Sequence, residues 1–226
     1  MQVTRINNDY SNKYNQRVAF KQVLENRIKT NPKLIQAIKD KKFLLLVSGP
    51  SGVGKDTVMA RVMDLFNKIV THTTRPMRKG EVDGESYFFT TLEKFLDGIK
   101  NNKFVEYVQL FAGRYYGTKR ETIEKALDGK KPALAIVDVD GAKNIREALK
   151  NDPQINVVSI FFAPPSSKIL KERLQGRDPN MPIKEMQERL DRAEYEMKRA
   201  KEYDAVIAFE NPEDGVKDVK ELLYLD

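Results

Sequence analysis

A glycine-rich segment with a lysine, lying between an apolar run and a helical pattern, restricts the fold of this chain more than any other feature. The segment is Gly49-Pro50-Ser51-Gly52-Val53-Gly54-Lys55-Asp56-Thr57, the run before it is Phe43-Leu44-Leu45-Leu46-Val47-Ser48, and the helical pattern begins at Thr57. The run is typical of a buried parallel strand. Glycines let a backbone wrap around phosphate oxygens at the start of a helix, and a lysine there reaches the phosphates of a nucleotide. The spacing therefore predicts a nucleotide-binding loop, against the alternative of an ordinary glycine-rich turn.

One residue of this loop departs from the usual pattern. Asp56 stands where Ser or Thr normally contacts Mg²⁺. We interpret Asp56 as part of the outer shell of a Mg²⁺ site, with Thr57 helping to anchor the phosphates, because a cation removes the repulsion between a carboxylate and a triphosphate. The alternative is that Asp56 only caps the helix and points away from the nucleotide.

Composition limits the class of protein. A chain of 226 residues with 40% hydrophobic residues can bury one core with small attached subdomains. It has no cysteine, which excludes disulfides and thiolate metal sites, and no apolar run approaches the ~20 residues of a membrane span. We therefore expect a cytoplasmic protein with no membrane partner. The net charge of +7 would suit nucleic acid, an anionic surface or phosphorylated small molecules. The positive charge is scattered along the chain with no long basic run, as on solvated helix faces, and we expect small phosphorylated molecules and no nucleic acid as partners.

Beyond the loop, apolar runs alternate with helical patterns. This alternation predicts an α/β fold with a mainly parallel sheet. The short strands between Thr71 and Leu110 look like an inserted antiparallel patch, and a capping box of Thr90 and Glu93 is expected to start the helix that follows. The predicted strands cover residues 69–71, 87–89, 104–108, 133–138, 157–162 and 205–209. Residues 1–41 form a predicted extension, partly helical, that could pack on the core or mediate self-association.

Two polar clusters between the predicted strands could bind a second phosphorylated ligand. Arg75 and Arg78 lie in a loop with prolines and glycines, and arginine forks match phosphate oxygens, although basic loops are often only solvated. Tyr115-Tyr116-Gly117-Thr118 follows Glu106, and a carboxylate with a threonine hydroxyl can read the edge of a base. In isolation, paired tyrosines are more often packing residues.

The second half of the chain adds a carboxylate and three arginines. Asp138 ends a predicted strand, where ligands of open α/β sheets bind, and it suits Mg²⁺ or a substrate hydrogen bond; Asp140 is expected to cap the next helix. Arg173 and Arg177 share a helical face, and Arg189 follows an irregular stretch. Arginines beside a mobile loop could close over a triphosphate, whereas the alternative is a helix stabilised by salt bridges.

In this order, the elements resemble the guanylate kinase family, whose members phosphorylate GMP. The resemblance covers about residues 43–225. It rests on the glycine-rich loop, Thr73-Thr74-Arg75-Pro76, Gly80-Glu81-Val82-Asp83-Gly84, Tyr115-Tyr116-Gly117-Thr118, Asp138 with Gly141-Ala142, the three arginines, and Tyr203-Asp204 before a strand. Phe209 stands where the family has an asparagine near the adenine.

The resemblance implies a role for individual residues. It implies that the GMP phosphate is bound by Thr71, Arg75, Arg78, Tyr87 and Tyr116, and that guanine is read by Glu106, Thr118 and Asp138. It implies that ATP is bound by Gly49, Pro50, Ser51, Gly52, Val53, Gly54, Lys55, Asp56, Thr57 and Arg173. Lys55, Arg177 and Arg189 would stabilise the transferred phosphoryl group, with Mg²⁺ as cofactor and ATP as phosphoryl donor.

The resemblance also implies a fold and a domain plan. The fold is a three-layer P-loop kinase core with a mainly parallel sheet, a small mixed or antiparallel GMP-binding insertion and a lid. In this chain the core is expected at 42–71, 127–174 and 190–226, the insertion at 72–126 and the lid at 175–189. We expect a monomer or homodimer that transfers a phosphoryl group from ATP to GMP. Two alternatives are the same fold with another phosphorylated acceptor, such as ribose bisphosphate, and a non-catalytic module that binds phosphopeptides.

Overall fold

The computed structural model describes residues 36–38, 40, 43–110, 113–152 and 155–223. Of the predicted extension 1–41, only residues 36–38, which are helical, and residue 40 are therefore described. The strands are β1 (Phe43–Ser48), β2 (Asn67–Lys68), β3 (His72–Thr73), β4 (Phe88–Phe89), β5 (Phe104–Leu110), β6 (Arg114–Lys119), β7 (Ala133–Ile136), β8 (Asn156–Ala163) and β9 (Ala205–Ala208). The helices are α1 (Lys55–Ala60), α2 (Leu92–Lys100), α3 (Arg120–Leu127), α4 (Val139–Leu149), α5 (Ser167–Arg177), α6 (Ile183–Arg199) and α7 (Pro212–Leu222), with 3₁₀ turns at Met63–Leu65 and Ala200–Glu202.

The strands form two sheets. The larger has the order β2-β7-β1-β8-β9, and its β2/β7 and β8/β9 pairs are parallel. The smaller has the order β4-β3-β6-β5, in which β3 is parallel to β4, and β6 is antiparallel to both β3 and β5. All six residues of β1 are buried, as expected for a strand covered on both faces. The predicted α/β class, with a mainly parallel sheet and a second, mixed sheet, is confirmed.

The chain divides into two compact units. The first contains Val47–Met63 and the described residues from Ser159 onward, and so includes the glycine-rich loop and the three arginines. The second contains the described residues of Lys41–Leu46 and Asp64–Val158, and so includes the predicted GMP-binding residues. The predicted boundaries of the insertion and the lid stay predictions. No helix in the described ranges has both the length and the apolar character that crossing a membrane requires.

Three local predictions are wrong. The strand predicted at 69–71 is the crossing between the two sheets: Ile69 N still donates to Leu134 O in the larger sheet, while Thr71 O accepts from Phe88 N in the smaller. The helix predicted from Thr57 begins two residues earlier, at Lys55. The N-cap of α2 is Thr91, whose hydroxyl accepts from Lys94 N at 3.3 Å, so the capping box of Thr90 and Glu93 does not form.

Candidate functional site

The glycine-rich loop follows β1 and passes very close to β8. Gly49 has φ 144°, and a Cβ on it would lie 2.2 Å from the carbonyl oxygen of Phe162, so only glycine fits there. Gly54 has φ 101° and is the N-cap of α1. The loop therefore has the tight, left-handed backbone that lets N–H groups converge on an anion.

Lys55 folds back over its own loop. Its Nζ donates to the carbonyl oxygens of Gly49 and, at 3.0 Å, Pro50. Phosphate oxygens could replace these carbonyl oxygens as acceptors, since an ammonium prefers a charged acceptor.

Asp56 and Thr57 are exposed on the first turn of α1. The cap of this helix is Gly54, and no side chain accepts a hydrogen bond there. The alternative prediction that Asp56 caps the helix is therefore wrong. Both side chains are available to solvent and to a ligand at the loop.

The three predicted arginines have different surroundings. Arg189 Nη1 donates to Ser51 Oγ at 3.0 Å, and its Nη2 pairs with Glu185 Oε1 at 2.8 Å. Arg173 donates to main-chain carbonyls, one of them that of Val53 at 2.7 Å. Arg177 is the last residue of α5 and is exposed. The structure thus brings Arg173 and Arg189 into contact with the loop and leaves Arg177 in solvent.

In the second unit, Arg75 is 4% exposed and makes two hydrogen bonds to the carboxylate of Glu81. Its Nη2 donates to Oε1 at 2.6 Å, and its Nη1 donates to Oε2 at 2.9 Å. Its guanidinium carbon lies 5.2 Å from the centre of the Tyr87 ring, and this ring lies 6.0 Å from that of Tyr116. Hydrogen bonding to Glu81 raises the pKa of Arg75 above its usual value, with Tyr116 contributing in the same direction. Arg75, Tyr87 and Tyr116 therefore form one cluster around a permanent positive charge.

The other two residues predicted for the GMP phosphate lie near this cluster in the sequence but take different positions. Arg78 is exposed, and its main-chain N donates to Glu81 Oε2 at 2.7 Å. Thr71 is buried, and its carbonyl oxygen accepts from Phe88 N at 2.9 Å. Arg78 is thus connected to Arg75 through Glu81, whereas the main chain of Thr71 bonds within the smaller sheet.

Glu106, Thr118 and Asp138 form a second cluster in the same unit. Glu106 is 5% exposed, and the Thr118 hydroxyl donates to its Oε1 at 2.8 Å. A Cβ on Gly141 would lie 3.1 Å from Glu106 Oε2 and 3.3 Å from Asp138 Oδ2, so both carboxyl groups converge on the backbone of α4. Burial raises the pKa of Glu106 to about 8; the Asp138 charge adds to the increase, and the Thr118 hydrogen bond opposes it.

Asp138, and not Asp140, caps α4. Asp138 Oδ1 accepts from Asp140 N at 2.9 Å and from Gly141 N at 3.2 Å. The prediction that Asp140 caps this helix is wrong, because α4 begins at Val139. The strand β7 also ends at Ile136, so Asp138 is a helix cap two residues beyond the strand and not its last residue. Oδ1 of Asp138 caps the helix, while its Oδ2 lies near the Cα of Gly141, on the side where Glu106 Oε2 also lies.

Two glutamates next to the predicted arginines were missed by the sequence analysis. Glu185 precedes Arg189 by four residues on α6, a spacing that places both on one helical face and could have identified the pair. Glu81 follows Arg75 by six residues in an irregular loop, and no spacing rule predicts that contact.

Comparison with known proteins gives concordant results. A family model described as guanylate kinase matches residues 41–225. The guanylate kinase of Rickettsia felis is 37% identical over 194 residues, which cover 84% of this chain and 96% of that protein. The guanylate kinase of Corynebacterium jeikeium is 40% identical over 185 residues, covering 80% and 95%. The crystal structure of guanylate kinase from Anaplasma phagocytophilum superposes with a TM-score of 0.64 at 30% identity, covering 80% of this chain and 84% of that one.

Proposed function

Because this chain belongs to the guanylate kinase family, we propose that its glycine-rich loop, its arginines and its buried carboxyl groups carry the reaction of that family. The enzyme transfers a phosphoryl group from ATP to GMP and forms ADP and GDP. The observation that best supports the residue roles is the convergence of Glu106 and Asp138 on Gly141, which gives two acceptors for the two N–H groups of a guanine edge.

The loop and its cations serve the donor. Lys55 and the loop N–H groups bind the phosphates of ATP, and Arg177 and Arg189 stabilise the negative charge of the transferred group. Arg189 is supported in this role by its contact with Ser51 of the loop. Its ion pair with Glu185 is exposed and costs little to break, so the guanidinium can turn toward the phosphates.

The Arg75 cluster serves the acceptor phosphate. Arg75, Arg78, Tyr87, Tyr116 and Thr71 bind the phosphate of GMP and orient one of its oxygens. This oxygen attacks the γ-phosphorus of ATP in line, while the bond from that phosphorus to the β–γ bridging oxygen breaks and ADP leaves. The attacking phosphate is already anionic and needs no strong general base, so positioning and charge supply most of the catalysis.

The buried carboxyl groups select the base. Guanine presents N1–H and N2–H donors, which the ionised forms of Glu106 and Asp138 can accept, with Thr118 holding Glu106 in place. Hydrogen bonds from guanine favour the carboxylate of Glu106, which releases its proton to solvent as the base binds. Adenine has no donor at N1, so AMP would leave a buried carboxyl group without a partner. This penalty supports strong discrimination against AMP.

The residues at the start of α1 suit Mg²⁺. In the described part of the chain there is no group of three or more acidic or histidine side chains that could hold a metal ion. Mg²⁺ in kinases needs only one or two protein oxygens, since the phosphates supply others. The exposed Asp56 could bind water molecules of the ion, in its outer shell, and Thr57 could anchor the phosphates. Bound there, the ion would neutralise charge on the phosphates.

An acceptor panel tests the proposed specificity. ADP release should be measured with GMP, dGMP, AMP, UMP and ribose bisphosphate. We expect rapid turnover with the guanine nucleotides and turnover slower by orders of magnitude, measurable only at high enzyme concentration, with the other three. Rapid turnover with ribose bisphosphate would favour the alternative acceptor, and an absence of turnover with every acceptor would favour the phosphopeptide module; the comparisons favour neither alternative. The cytoplasmic location and the monomeric or homodimeric state stay predictions from the sequence.

A further inference from the structure

Arg173 is bound to main chain on two sides. Its Nη1 donates to the carbonyl oxygen of Val53 at 2.7 Å, and its Nη2 donates to those of Glu210 at 2.8 Å and Phe209 at 3.3 Å. The guanidinium carbon also lies 5.6 Å from the centre of the Phe209 ring. Three donors of the fork are thus committed to the loop and to the segment after β9.

The bond to Val53 controls a neighbouring donor. Val53 and Gly54 share one trans peptide, in which the carbonyl oxygen and the amide hydrogen lie on opposite sides of a rigid plane. A bond that fixes the direction of the Val53 carbonyl therefore fixes the direction of the Gly54 N–H. Gly54 is the residue from which the loop turns into α1, directly before Lys55.

A second contact between α5 and the loop lies one residue earlier. A Cβ on Gly52 would lie 2.8 Å from Leu174 Cδ2, and Leu174 is fully buried. Consecutive residues of α5 therefore support consecutive residues of the loop: Leu174 packs against Gly52, and Arg173 binds Val53. The backbone of the loop is thus supported by this helix.

Arg189 offers the contrast. It bonds the side chains of Ser51 and Glu185, which can rotate away when a phosphate approaches. The partners of Arg173 are main-chain carbonyls, which can change direction only if the backbone itself moves. An arginine that turned toward ATP from this position would leave three carbonyl oxygens without their donors.

We propose that Arg173 is a positioning residue, which holds the Val53–Gly54 peptide so that the Gly54 N–H faces the donor phosphates. This inference rests on the proposed function of the loop, and it gives Arg173, which the family resemblance places among the residues that bind ATP, a role that acts through the loop backbone.

The test uses Arg173→Lys, which keeps the positive charge but loses the planar guanidinium, and Arg173→Gln, which keeps part of the aliphatic side chain but removes the charge. Lys171→Ala, an exposed substitution on the same helix, is the matched control. Amide hydrogen exchange is measured by NMR without nucleotide at Val53 and Val58, whose N–H groups bond Pro50 O at 3.2 Å and Gly54 O at 3.1 Å. Both arginine variants should exchange about tenfold faster at these amides, and the control should match the wild type.

Binding measurements complete the test. Calorimetry should show ATP affinity reduced by roughly tenfold or more in both arginine variants, with GMP affinity within about twofold of the wild type.

Weaker ATP binding with unchanged amide exchange would mean direct contact with the nucleotide and would overturn the inference. Wild-type ATP affinity in Arg173→Lys would overturn it as well, and equal losses for both nucleotides would show a general structural role. Should Arg173→Gln not fold, Arg173→Lys alone decides. Failure of the wild type to bind GMP would instead refute the proposed function.

Discussion

The glycine-rich loop carries its polar side chains at the surface, with Ser51, Asp56 and Thr57 exposed, whereas Glu106 and Thr118 of the base-reading cluster are almost completely buried. The two regions are therefore expected to act differently on their ligands. Exposed groups can rearrange around phosphates at small cost. Buried groups have a fixed arrangement, and a ligand that leaves one of them without a hydrogen-bond partner binds less tightly, because the cost of its desolvation is not recovered. The loop suits charge stabilisation, and the buried cluster suits discrimination between bases.

The arginines of the two regions differ in the same way. Arg75 is 4% exposed and holds Glu81 through two hydrogen bonds, whereas the side chain of Arg189 is 23% exposed and uses a single oxygen of Glu185. A buried bidentate pair keeps its geometry, and a partly exposed pair on one helix contributes little and breaks easily. Arg75 is therefore a fixed element of the acceptor region, and Arg189 is an adjustable one of the donor region.

The largest effect is expected in the loop. Lys55→Ala should lower kcat by about 100-fold to 1,000-fold or more, because it removes a positive charge from the phosphates. The melting temperature should change little, since the substitution removes no core volume. Steady-state ADP release and thermal unfolding check both expectations. Retention of most of the wild-type kcat would exclude Lys55 from its proposed role.

The next effect concerns the acceptor region. Arg75→Ala should weaken GMP binding by roughly tenfold to a hundredfold, the cost of a lost charge-assisted hydrogen bond, and should leave ATP binding nearly unchanged. Calorimetric titrations with each nucleotide measure this difference. Glu81→Gln serves as a companion variant, because it loosens the fork but keeps the guanidinium, and a smaller loss is expected. Equal losses for ATP and GMP in Arg75→Ala would contradict the division into donor and acceptor regions.

A smaller effect is expected on stability as the pH rises. Glu106 keeps its proton in the folded protein up to about pH 8, whereas in the unfolded chain it ionises near its ordinary pKa of 4.5. The unfolded state therefore binds fewer protons, and the contribution of Glu106 to stability falls as the pH rises between these values. From pH 7 to pH 8 the loss should be roughly 1 kcal/mol.

Denaturant unfolding of the wild type and of Glu106→Gln at pH 7 and pH 8 measures this contribution. The variant should lose less stability than the wild type over this interval. His72 does not interfere with this measurement. Burial lowers the pKa of His72 from 6.5 to about 4 in the folded protein, so its contribution to stability is lost only as the pH falls from 6.5 toward 4, below the interval from pH 7 to pH 8. Parallel changes in both proteins would show that Glu106 is not the group responsible.

The smallest effect is expected at Asp56. Asp56→Ser should keep activity but shift its Mg²⁺ dependence by a few-fold, since an outer-shell carboxylate adds a modest attraction for the cation. Titrations of ATP binding with Mg²⁺, followed by calorimetry, give a readout independent of turnover. Superimposable titrations for the two proteins would remove Asp56 from the metal site.

Features that depend on neighbouring residues were predictable from the sequence. The loop lies in one short segment, and its glycines permit the positive φ angles that its turn requires. The α/β class followed from alternating patterns, each of which reports its own element. The pairing of Glu185 with Arg189 also has a regular spacing, although it was missed.

Features that depend on the topology were less predictable. Glu106 and Asp138 lie on β5 and at the start of α4, and they meet because α4 packs against β5. Only the family resemblance suggested that they act together. The pairing of Arg75 with Glu81 spans an irregular loop, and the role of Asp138 as a cap depended on where β7 ends. The surroundings of Arg173 required the position of backbone carbonyls that no sequence pattern encodes.

The central claim is that the buried carboxyl groups determine which base is accepted, and the loop determines how fast the phosphoryl group is transferred. The direct test is kcat/KM for GMP and for AMP in the wild type, Glu106→Gln and Lys55→Ala. Glu106→Gln should reduce the ratio of GMP to AMP activity by tenfold or more, because the amide presents a donor where guanine also presents one. Lys55→Ala should lower both activities and leave the ratio unchanged. A ratio that changes in Lys55→Ala, or stays at the wild-type value in Glu106→Gln, would contradict this division of roles.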